Sequence, residues 1–158
     1  MDSSLMRALA AMPASELVRV AEANTVATFR IGFDTEGRCA LWKFRFKDGR
    51  QALFALMPSL AIHFTKAVRR QARKRRWSDD GAAAGTIDLT QDDWDTMQNA
   101  AVSYRLEALD DAIVIALPAE HAPFQAIRLS PALAVRLADL HWDEIQKGVL
   151  RESAAAPR

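Results

Sequence analysis

The sequence is short of cysteine and of long hydrophobic runs. Cys39 is the single cysteine among 158 residues, so no internal disulfide is possible and none is expected to be needed, because half of the residues are hydrophobic. The longest apolar stretch, residues 112–119, falls far below the roughly 20 residues of a membrane helix, which predicts no membrane span. Asp2 stands where a signal peptide has a basic residue, so we expect a cytoplasmic protein.

Patterns that indicate a catalytic, metal or cofactor site are also scarce. There is no phosphate-binding glycine loop, and no histidine and cysteine pair has zinc-site spacing. His63 lies among basic residues and His121 lies in a loop between prolines. His141 falls on an apolar helix face, where we predict a packed, hydrogen-bonded core residue. The sequence therefore predicts a protein that is not an enzyme and uses no metal or cofactor; a pocket enzyme near His63 or His121 is the alternative.

Charge of both signs is abundant, but it is unevenly placed. The chain has 21 Lys and Arg against 20 Asp and Glu, a net charge of +1. Residues 66–76 hold seven positive charges and no negative one, which leaves 14 positive and 20 negative charges, a net of −6, for the rest of the chain. A basic segment in an otherwise acidic chain indicates a surface directed at an anionic partner.

One pattern occurs twice and predicts the fold. Residues 27–77 and 100–148 each read as three short alternating strands followed by a helix that begins at a proline. We predict an α+β domain over residues 1–150, in which the two β-β-β-α repeats are related by a pseudo-twofold axis and are joined by a linker over residues 78–89. Residues 151–158 are predicted to be a flexible tail.

Helices are expected to cover the antiparallel strands on one face. Residues 3–23 predict two N-terminal helical pieces broken at Pro13, which join the two proline-initiated helices in that cover. The apolar strand over residues 112–117 needs cover on both faces, so a homodimer that closes the outer sheet face is a further prediction.

A hairpin between the second and third strands sets the predicted register of the first sheet. Asp48 and Gly49 indicate a two-residue turn, which places Phe44 opposite Leu53. In this register Phe54 lies on the same face as the strand cations and is free to stack on a base.

The first repeat helix combines an apolar stripe with a cationic back. Lys and Arg on a rigid helix are the electrostatic footprint of nucleic-acid contact, so we predict that this helix binds nucleic acid. The predicted contact residues are Lys66, Arg69, Arg70, Arg73, Lys74, Arg75 and Arg76, with Lys43, Arg45, Lys47 and Arg50 as a secondary surface.

Two other interpretations of the basic helix remain open. In the first, the chain is a protein-interaction or assembly module whose basic helix docks an acidic protein. In the second, the helix charges only balance acidic segments of the same chain. Trp77 projects with the cations, which predicts either a lid over the linker or an anchor for a partner.

Overall fold

The structure is a computed structural model. It describes residues 3–34, 39–78, 85–87, 89–96, 100–101, 103–117 and 124–148. The predicted tail, His121 and most of the predicted linker lie outside the described residues. No helix among the described residues is long and apolar enough to cross a membrane.

The first half of the chain contains the N-terminal helices and one sheet. Helices α1 and α2 span Ser3–Ala11 and Ala14–Ala21, with Pro13 between them as predicted. Strands β1, β2 and β3 form an antiparallel sheet in the order β3-β2-β1, and helix α3 follows directly. The bounds are Val26–Phe33, Ala40–Phe46, Gln51–Leu56 and Pro58–Arg75.

A short strand and a short helix precede the second sheet. Strand β4, Gly85–Ile87, lies within the predicted linker and pairs in parallel with β1, which the sequence did not predict. Helix α4 follows at Gln91–Asp95. Antiparallel strands β5, β6 and β7 then form a three-stranded sheet, and helix α5 ends the described chain. Their bounds are Arg105–Ala108, Ile113–Leu117, Gln125–Leu129 and Pro131–Gln146.

The helix starts follow from local sequence chemistry. Pro58 and Pro131 occupy the first helical positions of α3 and α5, where a missing N–H leaves no bond unmade. The Ser130 hydroxyl accepts a hydrogen bond from the Leu133 amide, and Thr90 and Asp93 form a reciprocal capping box at α4. The α+β class predicted from the sequence is confirmed.

The hairpin register differs from the prediction by one residue. The loop has three residues rather than two, because the Phe46 amide bonds the Arg50 carbonyl at 2.8 Å and Gly49 takes the left-handed conformation, φ 92°, at the last loop position. Trp42 therefore pairs with Phe54, not with Ala55. Phe54 is buried on the core face at 7% exposure, 6.0 Å from the Phe44 ring, so it is not available to stack on a base.

The inner faces of the two sheets share one core with α3 and α5. Isolated parallel bridges pair Thr25, just before β1, with Arg128 of β7, and Leu56 of β3 with Ala101, ahead of β5. The core residues come from both sheets and both helices, and the largest of them include Phe29, Trp42, Phe44, Phe46, Phe64, Ile113, Ile115 and Leu117. Helices α3 and α5 lie side by side over this core.

The N-terminal helices cover the opposite face from the one predicted. Leu9, Leu17 and Ala21 pack on Val114 and Ala116, which point out of the second sheet away from α3 and α5. Strand β6 is thus buried on both faces within a single chain. The need to cover this strand no longer argues for a homodimer.

The observed register predicts that alanine substitutions at two neighbouring positions destabilise the protein by very different amounts. We expect Phe54→Ala to lower the free energy of unfolding by about 3–5 kcal/mol, because it empties a core site, whereas Leu53→Ala on the outer face costs about 1 kcal/mol or less. Urea denaturation of the two variants measures this difference. A larger loss for Leu53→Ala would support the two-residue turn instead.

Candidate nucleic-acid interface

Helix α3 is held rigidly by its buried face. Leu60, Phe64 and Val68 enter the core, and the Phe64 ring packs edge-on against Trp42 with the ring centroids 4.9 Å apart. Because these contacts fix the rotation of the helix about its own axis, the positions on the other side stay in solvent.

A row of cations occupies that solvent side. Lys66, Arg70, Arg73 and Lys74 are exposed at spacings of three or four residues, and Arg76 follows in the left-handed cap of the helix with φ 57°. We call these five residues the α3 stripe. None of their side chains makes a hydrogen bond or ion pair with another described residue.

The other two predicted helix cations are engaged within the fold. The Arg69 guanidinium lies 4.3 Å from the centre of the Trp142 ring and 3.5 Å from an Asp139 carboxylate oxygen. Arg75 forms an ion pair with Asp110 and a 3.1 Å hydrogen bond with the Gln71 amide oxygen. Both arginines therefore have partners within the described part of the fold, unlike the five residues of the α3 stripe.

Trp77 is also engaged within the fold. Its indole N–H donates to the Asp110 carbonyl at 3.3 Å, and the ring packs on the core. Arg75 lies 5.9 Å from the ring centre. The indole thus secures the end of α3 to the β5–β6 turn, a role that neither interpretation of the sequence gave it.

The strand cations lie on the other side of the sheet from the α3 stripe. Arg45 is exposed and alternates with Phe44 and Phe46, which face α3 through the core. Lys43 donates to Asp93 at 2.9 Å, and this hydrogen bond is the main cause that lowers the pKa of the Asp93 carboxyl. Arg45 and Lys47 remain as exposed residues of the predicted secondary surface.

Arg50 serves the hairpin and its neighbour. It donates to Asp48 at 2.7 Å, and it reaches the Asn24 side chain and the Ala23 carbonyl at 2.8 Å each. The helix cations and the strand cations therefore do not form one continuous surface.

The segment that carries Asp93 lies close against the outer face of the first sheet. A Cβ at Gly32 would stand 2.8 Å from side-chain atoms of Leu89 and Trp94, so only glycine allows this approach. Residues 89–96 thus cover part of the sheet face that the sequence assigned to a ligand.

His141 is a core residue, as predicted. It is fully buried, its Nε2 accepts a 2.7 Å hydrogen bond from the Trp42 indole, and its Nδ1 lies 2.7 Å from the Leu137 carbonyl. Since an indole only donates, the proton of His141 is on Nδ1 and bonds Leu137. Burial lowers its pKa from 6.5 to about 4.

The remaining reactive groups are accounted for individually. His63 Nδ1 is 2.6 Å from the Tyr104 hydroxyl, and burial raises the pKa of Tyr104 to about 12. Burial also raises the pKa of the Cys39 thiol to about 11, which disfavours the reactive thiolate. In the part of the chain that the structure describes, no group of three or more His, Cys, Asp or Glu could hold a metal ion.

An open groove runs beside the α3 stripe, between α3 and α5. Its volume is about 160 Å³. Four small apolar side chains and three charged ones line it, namely Val68, Ala72, Val135, Ala138, Arg69, Arg73 and Asp139. The sequence did not predict this groove, because it arises only where two helices pack; the one signal was the small residues at helical spacing on both.

Comparison of the chain with protein-family models gives no match, and no curated protein matches it significantly.

The buried His141 predicts an acid-dependent loss of stability. Its pKa is about 4 in the folded protein and about 6.5 when unfolded, so the unfolded chain binds the proton more readily. Neutral His141 makes its full contribution to the free energy of unfolding above pH 6.5. This contribution, about 3 kcal/mol, is lost as the pH falls towards 4. Urea denaturation between pH 7 and pH 4 measures it.

His141→Gln is the matched variant, since glutamine does not titrate. Its free energy of unfolding should be lower than that of the wild type at pH 7, and it should fall less steeply on acidification. Carboxylates such as Asp93 titrate in both proteins. Only the difference between the pH dependences of the two free energies of unfolding therefore reports on His141. If the free energies of unfolding of the two proteins fall in parallel with pH, His141 is not the buried neutral group described above.

Proposed function

We propose that this chain is a non-enzymatic binding module that contacts nucleic acid through the α3 stripe. The supporting observation is that five exposed cations have no ion pair to a described residue: Lys66, Arg70, Arg73 and Lys74 on one side of an 18-residue helix, and Arg76 in its C-cap. Positive side chains carried on a rigid helix neutralise phosphates without the backbone first having to be ordered.

Repulsion within the stripe favours the same conclusion. Lys66 and Arg70 are four residues apart, and Arg70 and Arg73 are three apart, so their side chains are neighbours on the helix surface. Like charges at these spacings destabilise a helix by about 0.2–0.5 kcal/mol per pair. A bound polyanion removes this repulsion, so the folded helix gains when it binds.

The histidines support a binding module over an enzyme. His141 accepts a buried hydrogen bond from Trp42, and the His63 ring is in contact with the Tyr104 hydroxyl. The neighbourhood of His63 is a helix surface, and the groove between α3 and α5 is lined by other residues. That the chain needs no metal or cofactor and that it acts in the cytoplasm are further parts of the proposal.

We also propose that the chain arose as two β-β-β-α repeats with a pseudo-twofold relation. Support comes from the element order, in which β1-β2-β3-α3 and β5-β6-β7-α5 correspond, and from proline at the first position of both helices. In this proposal the helix of the earlier repeat has acquired the binding surface. A homodimer remains compatible with it.

Salt-dependent binding tests the proposed function. Fluorescence anisotropy of a labelled 20-nucleotide DNA or RNA strand should show an association constant that falls as salt is added. If all five cations contact phosphates, the slope of the logarithm of this constant against the logarithm of the salt concentration is about −3.5. Arg70→Glu/Arg73→Glu/Lys74→Glu should weaken binding more than about 30-fold at low salt and flatten the slope by about 2.

Arg19→Glu is the control, because Arg19 is an exposed cation on α2, on the opposite side of the second sheet from α3 and outside the predicted contact residues. It should bind within about twofold of the wild type. Unchanged binding by the triple variant would remove the proposal. Failure of the wild type to bind either nucleic acid at 50 mM salt, together with a stoichiometric complex with an acidic protein, would establish the alternative partner.

A further inference from the structure

The α3–α5 groove borders the α3 stripe, since Arg73 belongs to both. We infer that the groove seats one base, of pyrimidine size, from a single-stranded nucleic acid whose phosphates lie on the stripe. This inference rests on the proposed function and deepens it. It names the strandedness of the ligand and a site that recognises a base.

The size and walls of the groove fit a six-membered ring. Its volume of about 160 Å³ compares with the roughly 150 Å³ apolar cavity that holds a benzene molecule in another protein. Val68 and Ala72 from α3 face Val135 and Ala138 from α5, so the walls are apolar and short. A planar ring gains contact with both walls, whereas water gains no hydrogen bond from them.

The polar rim of the groove suits a base better than an acidic peptide. The Arg69 guanidinium is stacked over the Trp142 ring at 4.3 Å, and its side chain is 38% exposed, which provides a cationic plane for stacking. Asp139 stands at the same rim and is 43% exposed. Its carboxylate can accept a hydrogen bond from a base amino or imino group, but it repels the carboxylates of an acidic partner.

The paired helices argue against a duplex. Helices α3 and α5 reach the same surface, because the groove between them is open to solvent. Helices packed side by side have axes about 8–10 Å apart and diameters of about 10–12 Å. The combined width of the two helices exceeds the width of the major groove, which is about 12 Å and admits one helix. A single strand meets no such limit.

Base-bearing and abasic strands of equal charge distinguish the groove from the stripe. The wild-type protein is titrated with labelled oligo(dT) of 12 nucleotides, with an abasic 12-mer of the same phosphates, and with a 12-base-pair duplex. We expect oligo(dT) to bind about tenfold more tightly than the abasic strand, because a seated base adds stacking. The duplex should bind no more tightly than the abasic strand.

Ala72→Leu fills the groove and should remove the tenfold advantage of oligo(dT) while leaving the affinity for the abasic strand unchanged. Ala10→Leu is the matched control at an exposed position of α1, on the other side of the second sheet from the groove, and should retain the advantage. Circular dichroism and urea denaturation verify that both variants fold. If Ala72→Leu does not fold, the comparison of oligo(dT) with the abasic strand on the wild-type protein still tests whether a base adds to the affinity.

The outcomes separate this inference from the proposed function. Equal binding of oligo(dT) and the abasic strand overturns the base site, while the proposed function stands if the triple stripe variant binds neither. Absence of binding to all three overturns the base site, and it overturns the proposed function as well if the 20-nucleotide RNA strand is not bound either. Displacement of oligo(dT) by a poly-glutamate peptide of equal length at a lower concentration also overturns both, and assigns the surface to an acidic protein.

Discussion

The hydrogen bond from the Trp42 indole to the His141 imidazole is the interaction on which the architecture depends. It joins β2 of the first sheet to α5, 99 residues later, inside the core. Neither group can reach water, and an unpaired buried donor costs about 1–3 kcal/mol, so the bond selects one placement of α5 relative to the first sheet. The Phe33 ring meets His141 edge-on at 5.1 Å and adds to this selection. A helix that follows the second sheet is thereby fixed to the first.

The position of α3 follows from the same cluster. Phe64 packs against Trp42 at 4.9 Å and lies 6.4 Å from His141, so α3 is wedged beside α5 with one rotation about its axis. This rotation sorts the helix cations. Arg69 turns toward Asp139 and Trp142, whereas Arg70 and Arg73 turn to solvent. A polar pair in the core thus determines which charges are available at the surface.

Much of this arrangement was readable from the sequence, because the strands and long helices follow local periodicity. The proline starts of α3 and α5, the alternating strands and the burial of His141 were all predictable in this way. The hairpin register was not, because Asp48 and Gly49 serve a two-residue turn and a three-residue loop equally well, and the choice depends on packing Phe54. The partners of Arg69 and Arg75 and the α3–α5 groove depend on contacts between distant segments, which periodicity does not encode.

Charge balance within the fold bears on the interpretation that the helix cations only offset acidic segments. Among the described acidic residues of the segment after α3, Asp93 pairs with Lys43 on the outer face of the first sheet, and α4 carries Asp92 and Asp95 on that side. A sheet and a helix packed on it separate these carboxylates from the α3 stripe by more than the Debye length of about 8–10 Å. Carboxylates at that distance do little to neutralise the stripe. The described acidic residues of α4 therefore do not balance the α3 stripe, although residues outside 66–76 have a net charge of −6.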